Sequence, residues 1–120
     1  LRKKNSFIRW AVKRGHSVFV ICWVNPDAEL AHKTFDDYML EGPIAAISAA
    51  KKAASVDSVN MIGYCIGGTL VASALAYLTA KDDVNQVNSV TFFTTMVDFE
   101  EPGDLGVFID EAQLASLEKK

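Results

Sequence analysis

The 120 residues include only two cysteines, three prolines and two histidines. Cys22 and Cys65 could in principle pair, but with no secretory signal a reducing setting is the expectation, and each is expected as a free thiol. Charge of one sign is also lacking. Twelve Lys and Arg against fifteen Asp and Glu leave a net charge of −3. The basic residues are scattered, with small groups at Arg2 to Lys4, Lys13 to Arg14 and Lys119 to Lys120, so no stripe for nucleic acid is expected. The longest purely apolar run, Val18 to Val24, covers seven residues, far short of the roughly 20 that cross a bilayer as a helix. A basic start broken by Arg9, Lys13 and Arg14 does not read as a signal peptide, so a cytoplasmic setting is expected. There is no repeat and no Ser/Pro/Gly-rich linker. What is present is a chain half hydrophobic and 22% charged, the composition of one soluble globular unit over residues 1–120.

The local grammar alternates helix and strand. Asn5-Ser6 offers a cap, and Gly15 after Lys13-Arg14 a stop with cations at the negative end, so the spacing predicts a helix over Ser6 to Arg14. Ser17 to Trp23, rich in β-branched and aromatic residues, suits a strand covered on both faces in a parallel sheet. Asn25-Pro26-Asp27 then turns the chain. A helix begins near Phe35, is kinked or reset by Gly42-Pro43, and continues from Ile44 to Ala54. Val59 to Ile62 makes a short strand ending at Gly63. Gly67 to Lys81 reads as a helix with Leu70, Val71, Ala74, Leu75 and Leu78 on one face. Ser89 to Val97 is a further strand, Glu101-Pro102-Gly103 a turn, and Asp110 a cap for a last helix with Gln113 in the capping-box position. Strands separated by helices imply an α/β fold with a mostly parallel sheet, here of about four strands with flanking helices.

The chemistry concentrates in Gly63-Tyr64-Cys65-Ile66-Gly67-Gly68-Thr69. Strand, G-x-C-x-G and helix together form the context of a nucleophile elbow, with Cys in place of Ser. An abrupt strand-to-helix turn strains the middle residue, and side chains two before and two after it are expected to collide, which Gly63 and Gly67 avoid. The turn is expected to push the Cys65 sulfur out over the first helical turn, where the dipole favours a thiolate. The Ile66 N–H is the candidate oxyanion donor.

Blander readings stand beside this one. A buried cysteine is often mere packing. A phosphate loop lacks its Lys before Thr69, and G-x-G-x-x-G is not present. A catalytic cysteine also needs a base, ordinarily His. His16 and His32 both precede the nucleophile, whereas this elbow fold runs nucleophile, acid, His; both read as surface or boundary residues. Asp98, ending a predicted strand, is a possible acid or ordinary turn chemistry. No metal site is expected.

With these residues in place, the chain resembles an internal piece of a class I polyhydroxyalkanoate synthase. The resemblance rests on the Cys65 segment and, in order, on Asn5-Ser6-Phe7-Ile8-Arg9-Trp10, Gly15-His16-Ser17-Val18-Phe19, Trp23-Val24-Asn25-Pro26-Asp27, Asp37-Tyr38-Met39 with Glu41-Gly42-Pro43, Phe92-Phe93-Thr94-Thr95 with Val97-Asp98-Phe99, and Gly106-Val107-Phe108-Ile109-Asp110. It implies a partial α/β-hydrolase fold, with Cys65 accepting a (R)-3-hydroxyacyl group from coenzyme A for transfer to a growing polyester. It also implies a homodimer at the polyester granule surface, no cofactor beyond the coenzyme A of the substrate, and a catalytic His and Asp downstream of this sequence. Cys22, where relatives often carry a small residue, reads as packing. A cysteine thioesterase of the same fold, or a catalytically silent piece, are the alternatives. Thiolate–thioester exchange is nearly isoenergetic, which makes Cys a sensible acyl carrier.

Overall fold

The computed structural model describes residues 5–108. The expected helix after Asp110, its Gln113 and the basic groups at Arg2 to Lys4 and Lys119 to Lys120 lie outside the described residues.

The first element, α1 (Phe7–Lys13), is bounded as its caps dictate. The Ser6 hydroxyl accepts from the Arg9 N–H at 3.2 Å, and Gly15 follows with φ +89. After Asn25-Pro26, the Asp27 carboxylate accepts from the Glu29 and Leu30 N–H groups and starts a short 3-10 turn. Next comes α2 (Phe35–Met39). Its capping box joins Thr34 and Asp37 reciprocally: the Thr34 N–H donates to Asp37 at 2.8 Å, and the Thr34 hydroxyl accepts from the Asp37 N–H.

Gly42-Pro43 resets the helix through one π-helical turn, Leu40–Ile44, before α3 (Ala45–Ala54). Proline has no N–H, and its ring collides with the carbonyl four residues back in an ordinary helix. One wide turn removes that conflict. The turn is buried: Pro43 is fully enclosed, and a Cβ on Gly42 would overlap the Trp23 indole. Trp23 in turn meets Tyr38 edge-on at 5.5 Å.

The sheet follows. Strand β1 (Val59–Tyr64) leads through Cys65 into α4 (Ile66–Ala80), and β2 (Val87–Phe93) returns parallel to β1, with Gly63 opposite Phe92 and Tyr64 opposite Phe93. Asn60 accepts from both the Asn88 amide and the Ser89 hydroxyl, tying the strands together beside the irregularity at Val59/Asn60. The buried face of α4 carries Gly68, Leu70, Val71, Ala74 and Leu78, close to the stripe read from the sequence. It packs on β1, on α2 and on the π-turn. Met39, Leu70 and Ala74, flanked by Tyr38, Ile44 and Tyr77, form the core there. No helix among the described residues is long and apolar enough to cross a membrane.

Four expectations are corrected. Among the described residues the parallel sheet has two strands rather than about four, and Ser17 to Trp23 belongs to no ladder. Strand propensity expresses itself only against a hydrogen-bonded neighbour and a covering layer. Among the described residues this segment has no strand neighbour and, apart from Trp23 against Gly42 and Tyr38, little cover: Phe19, Val20 and Val24 are exposed, and so is Cys22, which is therefore not a packing residue here. The second strand also stops at Phe93, short of Val97. Its partner β1 ends opposite at Tyr64, and Thr94, at φ +46, leaves the extended region.

Candidate active site

At the carboxyl end of β1 the chain makes the transition expected of G-x-C-x-G. Cys65 has φ +54 and ψ −127, outside both strand and helix, and Ile66 begins α4 immediately after it. A side-chain-bearing residue in such a region stores on the order of 1–3 kcal/mol of strain and persists only where its surroundings over-determine it. Those surroundings can be named. The Cys65 N–H donates to the Phe93 carbonyl at 3.0 Å, continuing the sheet ladder by one step. The Cys65 carbonyl accepts from the N–H groups of Gly68 at 2.9 Å and Thr69 at 3.3 Å, which starts the helix.

The thiol takes no part in capping and is exposed. Ile66, at the open N-terminus of α4, presents one of the N–H groups that a helix start leaves without an intrahelical partner. Tyr64 and Ile66, 70% and 65% exposed, flank Cys65. A nucleophilic sulfur and a backbone donor thus sit on adjacent residues at an open surface. That pairing can attack a carbonyl carbon and receive the oxygen that becomes negative.

The glycines divide differently from the expectation. A Cβ on Gly63 would stand 2.5 Å from the Gly68 Cα and 3.0 Å from its nitrogen. One on Gly68 would overlap the Thr95 side chain, whereas one on Gly67 would meet nothing within 4 Å. The close approach of strand and helix is therefore a Gly63–Gly68 contact, and Gly67 carries no steric role. Gly68, three residues beyond Cys65, is buried with its Cα against Gly63 of β1, while a Cβ on Gly67 would point into open space. The Gly67-Gly68 doublet was the visible signal, but the pattern alone does not say which of the two is pressed.

Among the described residues, neither His16 nor His32 hydrogen-bonds to Cys65, and both are exposed. Asp98 lies five residues past the end of β2 and accepts from the Glu100 N–H at 3.0 Å, an Asx turn. Among the described residues it makes no hydrogen bond to Cys65.

No family model matches the chain. Curated relatives do. The poly(3-hydroxyalkanoate) polymerase subunit PhaC of Rhizobium etli is 49% identical over 119 residues, which is 99% of this chain and 19% of the relative. The poly(3-hydroxyalkanoate) polymerase of Methylorubrum extorquens is 45% identical over 120 residues, all of this chain and 20% of the relative. This chain is homologous to a segment of the poly(3-hydroxyalkanoate) polymerases. The PhaC subunit of Cupriavidus necator, 42% identical over 114 residues, covers 95% of the chain and agrees. The chain spans 19 to 20% of the length of these polymerases. The matched stretches cover 95 to 100% of the chain and so include the Cys65 turn.

Proposed function

We propose that the chain is the nucleophile-bearing part of an α/β-hydrolase-type catalytic domain, residues 1–120, that polymerises (R)-3-hydroxyacyl-CoA. The observation that carries this reading is the exposed Cys65 on a strained strand-to-helix turn, beside the Ile66 N–H. The names of the homologous polymerases supply the substrate class.

In this reading the Cys65 thiolate attacks the thioester carbonyl of the acyl-CoA. The oxygen takes up the electron pair and is held by the Ile66 N–H. Collapse breaks the bond to the coenzyme A sulfur, which leaves as a thiolate and takes a proton from solvent or from a base. The acyl group is then a thioester on Cys65, close in energy to the one consumed. The hydroxyl of another hydroxyacyl unit attacks that thioester, loses its proton to a base, and returns the sulfur of Cys65. One ester bond has formed, and no oxidant or resident cofactor enters the balance. In this reading the base and its acid partner lie beyond residue 120, and His16, His32 and Asp98 take no part. The working enzyme is a homodimer in the cytoplasm, at the surface of the polyester granule.

The test uses the full-length polymerase carrying this sequence with (R)-3-hydroxybutyryl-CoA. Coenzyme A release and insoluble polymer are expected from the parent, and neither from Cys65→Ala. Polymer formation by Cys65→Ala would overturn the assignment, and release of free hydroxy acid without polymer would replace it with the thioesterase reading.

A further inference from the structure

The strained turn at Cys65 is held partly by a segment that the reaction does not obviously need. After β2 the chain reverses at Thr94 and crosses the first turn of α4. At its near end the Phe93 carbonyl accepts from the Cys65 N–H at 3.0 Å and from the Thr95 hydroxyl at 3.1 Å. In the middle, the Thr95 side chain fills the space over Gly68 that a Cβ there would occupy. At the far end the Met96 carbonyl accepts from the Thr69 hydroxyl at 2.6 Å, in a half-buried bond.

That last bond is unusual for its helix. A Thr or Ser inside a helix ordinarily turns its hydroxyl back to the carbonyl four residues earlier. Ser73 does so to Thr69 at 3.1 Å, and Thr79 to Leu75 at 2.8 Å. For Thr69 that carbonyl is the one of Cys65, yet its hydroxyl reaches instead to a residue 27 positions away. Its N–H remains on the Cys65 carbonyl at 3.3 Å. Thr69 therefore holds the candidate nucleophile with its backbone and the Phe93–Met96 strap with its side chain.

We propose that Thr69 is a positioning residue for acyl transfer: its hydroxyl latches the Phe93–Met96 strap across the elbow and so keeps the Cys65 thiol and the Ile66 N–H aimed at one carbonyl. The inference rests on the reading of Cys65 as the nucleophile.

In the full-length polymerase, Thr69→Val keeps the shape and removes the donor, while Thr69→Ser restores it. Loss of one such bond should lower kcat for coenzyme A release about tenfold and leave KM within about twofold. Alkylation of Cys65 by iodoacetamide, read by mass spectrometry on its peptide, forms no oxyanion and should stay within about twofold of the parent. Thr69→Ser should recover most of the lost kcat. Unchanged kcat in Thr69→Val, with Cys65→Ala inactive, overturns the latch alone; alkylation slowing in step with kcat, or no recovery in Thr69→Ser, overturns it as well. Turnover by Cys65→Ala overturns the nucleophile reading instead. Should Thr69→Val fail to fold, Thr95→Val, which removes the strap's other hydroxyl bond, must show the same split between kcat and alkylation, and equal kcat there counts against the latch.

Discussion

Alanine at Gly63 and alanine at Gly67 should move stability in opposite directions, although G-x-C-x-G treats the two positions alike. A Cβ on Gly63 would lie 2.5 Å from the Gly68 Cα, 3.0 Å from the Gly68 nitrogen and 3.2 Å from the Gly67 carbonyl oxygen. Carbon atoms rest at roughly 3.5–4.0 Å, so strand and helix must part by about 1 Å. Every obstructing atom is backbone, and none can rotate away. The cost therefore belongs at the upper end of the overpacking range, about 3 kcal/mol. A Cβ on Gly67 would meet nothing within 4 Å, and the residue lies in the first turn of α4. Alanine there contributes up to about 1 kcal/mol by restricting the unfolded chain and favouring the helix. Urea midpoints of the two variants in the full-length polymerase, at unchanged slope, measure the difference. The midpoint should fall below the parent's for Gly63→Ala and not for Gly67→Ala. Equal damage from the two substitutions would refute the assignment of the close contact to Gly63 and Gly68.

Two further outcomes follow from surface features. The Asp37 carboxyl is held below its ordinary range, first by the Thr34 N–H and then by the Thr34 hydroxyl. A carboxyl with a lower pKa folded than unfolded contributes stability above its unfolded value and loses it as pH falls through the folded one. Asp37→Asn should therefore flatten the fall in melting temperature below about pH 4, and an unaltered acid limb would remove the capping box from the account. Among the described residues Phe19, Val20, Val24, Tyr64, Ile66 and Phe99 are exposed, apolar surface of the kind that drives association. Expressed alone, these 120 residues should associate and bind an apolar dye, which light scattering and fluorescence can follow. A monomer with a sharp cooperative melt is the contrary result.

What residues decide over short distances was legible beforehand. The Ser6 cap and Gly15 stop bounded α1, the apolar stripe marked the inward face of α4, and the strand-turn-helix at Cys65 followed from its flanking pattern. Each depends on propensity and on hydrogen bonds between residues within a few positions. Misreadings arose where partners are remote. Ser17 to Trp23 has the composition of a strand but no neighbouring strand among the described residues, and β2 ends where β1 ends rather than where its β-branched residues stop.

The sequence by itself determined that a cysteine would stand at a sharp turn between a strand and a helix, because the turn, the helix start and the small residues are encoded within seven positions. Only the tertiary structure decided that Gly68 rather than Gly67 bears the contact with β1, that Thr95 fills the space above it, and that the Thr69 hydroxyl bonds Met96 instead of the Cys65 carbonyl. The last two join residues 27 positions apart. Side chains of similar local preference become distinct only when the return of β2 places another part of the backbone against them.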